Sequence, residues 1–160
     1  MIRSYQQDDL AWLMETANKA WRPINAAYRR AYGDELFELL VANEHTRKGE
    51  EMRDLCREQP GSLFVCEENG GRAGFIHLAF DRDRKIGIIG NNAVDPDRGL
   101  KGIGQQMYRF ALELFRREGM RFAHVTTGLD EGHAAARRAY ERAGFDISHS
   151  QINYYTRLAP

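Results

Sequence analysis

The chain has 160 residues, 42% hydrophobic and 29% charged, and its 23 basic and 23 acidic side chains cancel to a formal net charge of zero. That size and balance predict one folded domain over 1–160 and argue against a nucleic-acid partner, which would call for a basic excess. No uncharged apolar run approaches the roughly 18 residues that span a membrane, the first residues lack the apolar core of a secretory signal, and Cys56 and Cys66 lack metal-ligand spacing. The expectation is a cytoplasmic protein with no membrane contact, no metal and two buried thiols.

Residues 1–5 read as a short strand. Asp8 or Asp9 caps a helix with apolar side chains at Leu10, Leu13, Met14, Ala17 and Trp21, and Pro23 is expected to end it. A second helical region carries Tyr28 and Tyr32 and restarts after Gly33-Asp34 with Leu36, Phe37, Leu40 and Val41. A polar helix covers about 46–57. The pattern then alternates: a strand over 62–67, a hairpin turn at Asn69-Gly70, a return strand over 73–80, a charged turn, and a third strand over 86–94. Gly90-Asn91 inside that strand marks a bulge or bend.

A glycine loop follows, Val94-Asp-Pro-Asp-Arg-Gly-Leu-Lys-Gly-Ile-Gly104, and runs straight into an amphipathic helix over 102–118 that Gly119 closes. Then come a strand over 122–127, an alanine-rich helix from Asp130 or Glu131 to Ala143 closed by Gly144, and a terminal hairpin of strands over 145–149 and 151–157. This order predicts an α/β fold with a mixed, mostly antiparallel twisted sheet flanked by helices.

A strand, a glycine loop and a helix start together aim free backbone N–H groups at one point, backed by the positive end of a helix dipole. Such a point binds anions, phosphates above all. A P-loop would need Ser or Thr after Gly-Lys, but Lys101 is followed by Gly102-Ile103. A dinucleotide fingerprint would need a parallel βαβ setting, which the antiparallel meander does not offer. What remains is a pyrophosphate held by amides, with Lys101 or Arg98 adding positive charge and Asp95 and Asp97 opposing it unless they turn away.

Val94-x-Pro96 followed by Gly102-Ile103-Gly104 resembles the acetyl-coenzyme A motif of the GCN5-related N-acetyltransferases (GNAT). Gly99 stands where that family usually has Gln or Arg, and Leu100 where it has Gly. The segment His133-Ala-Ala-Ala136-Arg-Arg-Ala-Tyr140-Glu-Arg-Ala-Gly144-Phe145 is similar to the family's second motif, with His133 in place of Asn. The resemblance spans nearly the whole chain and implies a single GNAT-like domain.

It also implies an acetyl-CoA-dependent N-acetyltransferase, with acetyl-CoA as co-substrate, no metal, and a small-molecule or protein amine as acceptor. The amine attacks the thioester directly, with no covalent enzyme intermediate. Tyr140 is the general acid for the departing thiolate, since a phenol of pKa near 10 stays mostly neutral at pH 7. Ala93 and Val94 pair with the pantetheine arm as a strand would. The backbone from Gly99 through Leu100, Lys101, Gly102, Ile103 and Gly104 to Gln105 holds the pyrophosphate. Ala136 lets the arm pass close, His133 either bonds the arm or lines the opening or is a solvated surface histidine, and Arg137, Arg138 and Arg142 either reach the 3′-phosphate or form a solvated helix face. A homodimer is a further expectation from the family.

The general base stays open among His77, His124 and water, because residues 86–94 contain no acid. Trp21 and Tyr28, near Arg29 and Arg30, are candidates for the acceptor pocket. The rival reading is a non-catalytic acyl-CoA-binding sensor or regulatory module.

Overall fold

The computed structural model describes residues 1–158. The alternating segments form one five-stranded sheet in sequential order: β1 (Ile2–Ser4), β2 (Leu63–Glu68), β3 (Gly71–Asp81), β4 (Ile86–Val94) and β5 (Phe122–Val125). All pairs are antiparallel except β4–β5, which is parallel. Asn69 and Gly70 both take positive φ, 51° and 73°, the geometry that a two-residue hairpin between twisted strands demands.

Helices cover both faces. α1 (Leu10–Tyr32), α2 (Asp34–Leu40) and α3 (Arg47–Glu58) precede the hairpin, and α4 (Ile103–Arg117) and α5 (Ala134–Ala143) follow the meander. On one face Leu63, Phe75 and Ala93 pack under Leu13 and Ala17 of α1 and Met52 and Cys56 of α3. On the other, Ile76, Leu78 and Ile89 pack under Ile103, Met107, Ala111 and Phe115 of α4 and Tyr140 of α5. Each fully buried large side chain contributes about 2 kcal/mol. Cys56 and Cys66 are free and buried, as expected.

Asp9 fastens the edge strand to the body. Its fully buried carboxylate accepts two bonds from Arg3 (2.7 and 2.9 Å), one from Arg72 (2.7 Å) and one from the Gln6 N–H (2.8 Å). Burial opposes its ionisation, but these donors outweigh burial and hold the carboxyl down at about 2.

Two expectations fail. Pro23 does not end the first helix, which continues to Tyr32. Proline removes one backbone hydrogen bond. Against that loss, Ile24, Asn25 and Ala27 are buried beyond it, and Asn25 donates to the Glu44 carbonyl at 3.1 Å. The terminal hairpin is also absent: residues 145–158 form no strand. Ile147, Ile152, Tyr154 and Leu158 are exposed, so the segment has no buried face to reward pairing. Tyr155 against Tyr32 and Arg157 on Glu35 hold it to the N-terminal helices. The strand expected over 122–127 stops at Val125, which opens the site.

Candidate active site

Pairing of β4 to β5 ends at Ile89 opposite Val125. Just there β4 gains an extra residue: Ile76 faces Asn92, but Leu78 faces Ile89. The expected bulge at Gly90-Asn91 is therefore present, and it bends β4 away from β5. From Asn92 to Val94 the strand keeps its β3 partner but has no β5 partner among the described residues. A cleft of about 710 Å³ occupies the gap.

The glycine loop closes one end of this cleft. Gly102 has φ 82°, a left-handed conformation costly for any side-chain-bearing residue, and a Cβ there would stand in open space. It precedes α4 directly. Gln106 N–H bonds back to the Gly102 carbonyl at 3.1 Å, so the amides of Ile103, Gly104 and Gln105 form the unpaired first turn.

Asp95 and Asp97 are engaged away from the glycines, Asp95 by the Trp12 indole N–H (3.0 Å) and the Asp97 amide (3.0 Å), and Asp97 by Lys19. Arg98 also turns away, donating to the Arg72 carbonyl at 3.0 Å, so of the two predicted cations only Lys101, which is exposed, is left at the loop.

Of the predicted cofactor residues, Ala93, Val94, Gly102, Gly104, Gln105, His133 and Ala136 line the cleft together with Tyr140. Gly99, Leu100, Lys101 and Ile103 do not line it. Ile103 buries its side chain in the core, leaving only its amide for the loop, and Leu100 packs on the same core. Gln105 donates to the Ala139 carbonyl at 2.6 Å, tying α4 to α5. His133 is held by Asp130 (2.7 Å) and lies 6.3 Å from the Tyr28 ring.

Tyr140 sits at the far side of the open strand edge. Asn92 of β4 donates its Nδ2 to the Gly90 carbonyl (3.0 Å) and to the Tyr140 hydroxyl oxygen (3.1 Å), while its Oδ1 accepts from the Tyr108 hydroxyl (2.9 Å). Oδ1 also accepts from the Tyr140 hydroxyl at 3.4 Å, a longer and weaker bond than the one from Tyr108. The Tyr108 and Tyr140 rings are 4.7 Å apart, and burial together with Tyr140 pushes the Tyr108 phenol up. Tyr108 was not anticipated from the sequence. Its only signal is its place one turn after Gly104 on the buried face of α4.

The arginines divide. Arg137 donates to the Gly128 and Asp130 carbonyls (2.6 and 2.8 Å) and so holds the loop before α5. Arg142 lines the cleft and, with Arg109 and Arg116, a side pocket of about 170 Å³. None of these three has a carboxylate partner among the described residues.

On the opposite face of β4, Lys48 of α3 donates to Glu51 (2.9 Å) and to Asn91 Oδ1 (2.7 Å), and its ammonium lies 4.3 Å from the centre of the Trp21 ring. Burial lowers the Lys48 pKa. Glu51 also accepts from Asn91 Nδ2 (3.0 Å). Trp21 lines the cleft; Tyr28 does not, and packs on His133 and Tyr32 instead. Arg29 is engaged by Asp34 and Glu44, and Arg30 faces Glu131, so neither joins Trp21. Among the described residues there is no cluster of three or more His, Cys, Asp or Glu able to hold a metal, and no helix long and apolar enough to cross a membrane.

Comparison with known proteins fits this geometry. Residues 21–145 match the model of the acetyltransferase (GNAT) family. An uncharacterized N-acetyltransferase of Methanocaldococcus jannaschii is 27% identical over 152 residues, covering 91% of this chain and 60% of that protein. The S-(2-succino)cysteine N-acetyltransferase of Bacillus subtilis is 30% identical over 95 residues, 56% of this chain and 58% of that protein. The chain thus spans about three fifths of the length of the curated relatives it matches. A GNAT family acetyltransferase from Brucella melitensis, solved in complex with acetyl-CoA, shares the fold with a TM-score of 0.60 at 24% identity, over 92% of this chain and 82% of that one. The family match runs through both the glycine loop and the Tyr140 helix, and the chain belongs to the acetyltransferase (GNAT) family.

Proposed function

We propose that this protein transfers an acetyl group from acetyl-CoA to the primary amine of a small molecule. The supporting observation is the junction at Asn92, where an open strand edge, unpaired helix amides and a phenol held only by a long bond to Asn92 Oδ1 meet in one cleft. The Gly102–Gln105 amides and the α4 dipole suit a pyrophosphate. The unpaired backbone of Ala93 and Val94 suits the amides of a pantetheine arm, which replaces the missing β5 partner. Arg142, with Arg109 and Arg116, suits the remaining phosphate.

The chemistry follows from charge. Attack by a neutral amine on the thioester carbonyl builds negative charge first on oxygen and then on the departing sulfur. Tyr140 donates its hydroxyl hydrogen to that sulfur and recovers a proton from the new amide nitrogen. No side chain need form a covalent bond to the acyl group. The acceptor enters from the α1–α3 face, past Trp21. The Bacillus subtilis relative is named for S-(2-succino)cysteine, a small amine, and this supports a small-molecule acceptor here.

Calorimetry with acetyl-CoA, followed by a thiol-release assay on a panel of amines, tests the reading. Saturable binding with turnover on at least one amine is expected. No binding at millimolar acetyl-CoA contradicts the cleft assignment, and tight binding without turnover across the panel assigns a coenzyme-binding module instead.

A further inference from the structure

Resting on this reading, the geometry points to His77 as the base that takes the proton from the acceptor's ammonium group. His77 lies on β3 at the bulge, where no residue of β4 is its register partner. A Cβ on Gly90 would overlap the His77 Nδ1, so the strand keeps a glycine where the ring lies against it. The ring lines the cleft.

Among the described residues neither ring nitrogen has a hydrogen-bond partner, and Nε2 is buried without one. Structural histidines usually have at least one nitrogen fixed by a carbonyl or carboxylate. A ring left unpartnered in the wall of a reaction cleft has a lone pair to spare. Burial lowers the His77 pKa and keeps the imidazole neutral at pH 7. Burial is the sole cause of that shift; the other titratable groups on this side, His124 of β5 and the Lys48–Glu51 pair of α3, do not contribute. Glu51 is already engaged by Lys48 and Asn91, and His124 is exposed to solvent.

The placement matches the reaction. Gly90, against His77, and Asn92, against Tyr140, are two residues apart, about 7 Å along the strand. Their side-chain contacts fall on opposite faces of the sheet: His77 on the side of α1 and α3, Tyr140 on the side of α5. An acyl carbon held at the open edge between them would meet the amine from one side and lose sulfur to the other. The protons balance. The Nδ1 lone pair accepts one proton from the ammonium and passes it to solvent, and the attacking nitrogen forms the C–N bond. The C–S bond breaks, Tyr140 protonates the sulfur, and the second nitrogen proton restores Tyr140.

The test uses the full chain, acetyl-CoA and an amine that the wild type turns over. Wild-type turnover secures the acetyltransferase reading independently, and no wild-type turnover on any amine overturns both proposals. His77→Gln is expected to lower kcat/KM at pH 7 by about 100-fold. It should also abolish the acid limb of the wild-type pH profile, which lies below the ordinary histidine range, while leaving acetyl-CoA affinity unchanged. Gly90→Ala, which displaces the ring without removing it, is expected to reproduce the loss. ¹⁵N NMR of the wild type reports on His77 even if a variant misfolds: an Nε2–H tautomer whose titration coincides with the acid limb is expected. An unchanged acid limb in folded His77→Gln, or a limb that follows His124 instead, overturns the assignment.

Discussion

Replacing Tyr140 by Phe removes one oxygen from the most constrained point of the cleft. The fold should tolerate it. Asn92 Nδ2 keeps the Gly90 carbonyl (3.0 Å) and Oδ1 keeps Tyr108 (2.9 Å), so no buried donor is orphaned. The ring still packs on Tyr108 and Phe145, at 4.7 and 5.8 Å. The stability loss should be about 1 kcal/mol, the net value of one hydrogen bond. Catalysis should suffer more. General acids contribute about 10²- to 10⁴-fold, and the lower end applies here because a thiolate leaves more readily than an alkoxide. A 100-fold fall in kcat corresponds to about 2.7 kcal/mol. The assay is thiol release under saturating acetyl-CoA, with affinity from calorimetry and stability from urea unfolding. A variant with full affinity and kcat within about threefold of the wild type would refute the acid role.

Three other substitutions probe separate parts of the account. Gly102→Val forces a branched residue to φ 82° at the turn that presents the α4 amides. Acetyl-CoA affinity should fall by about 10- to 100-fold, the value of one or more hydrogen bonds to a charged group, and calorimetry would show retained affinity if the loop has another role. Arg142→Ala should weaken acetyl-CoA binding about fivefold at low salt and negligibly near 1 M salt, where screening removes the difference. A salt-independent loss would argue against a phosphate contact. Asp9→Asn should destabilise the fold by about 3 kcal/mol, because Arg3 and Arg72 lose their shared anion. The Asp9 carboxyl is held at about 2 against 3.8 when unperturbed, so its contribution is complete above pH 4 and disappears between pH 4 and 2. Urea titrations across that window should show the wild type losing stability and Asp9→Asn losing less; parallel curves would count against Asp9.

Much of this site could be read from sequence because glycine and proline act locally. The loop from Val94 to Gly104 has a short list of allowed backbones, so its anion-binding character survives without knowledge of its surroundings. The α4 and α5 stripes, the Asn69-Gly70 turn and the Gly90-Asn91 bulge are legible for the same reason. Other features depend on distant partners. Pro23 signals a helix end, but burial of Ile24 and Ala27 overrides it. Residues 145–157 alternate like strands, but nothing in the alternation says whether a buried face awaits them. The linkage of Tyr108, Asn92 and Tyr140 joins positions 16 and 48 residues apart, a separation without a sequence signature. The turning away of Asp95, Asp97 and Arg98 was likewise decided by Trp12, Lys19 and Arg72 on other elements.

The most direct measurement is the mass of an amine acceptor after incubation with the protein and acetyl-CoA, taken alongside the free thiol released. Acetylated amine and coenzyme A thiol are expected in equal amounts, with no acetyl group left on the protein. Thiol release without acetylated acceptor, or an acetylated protein intermediate that forms and decays at the turnover rate, would contradict it.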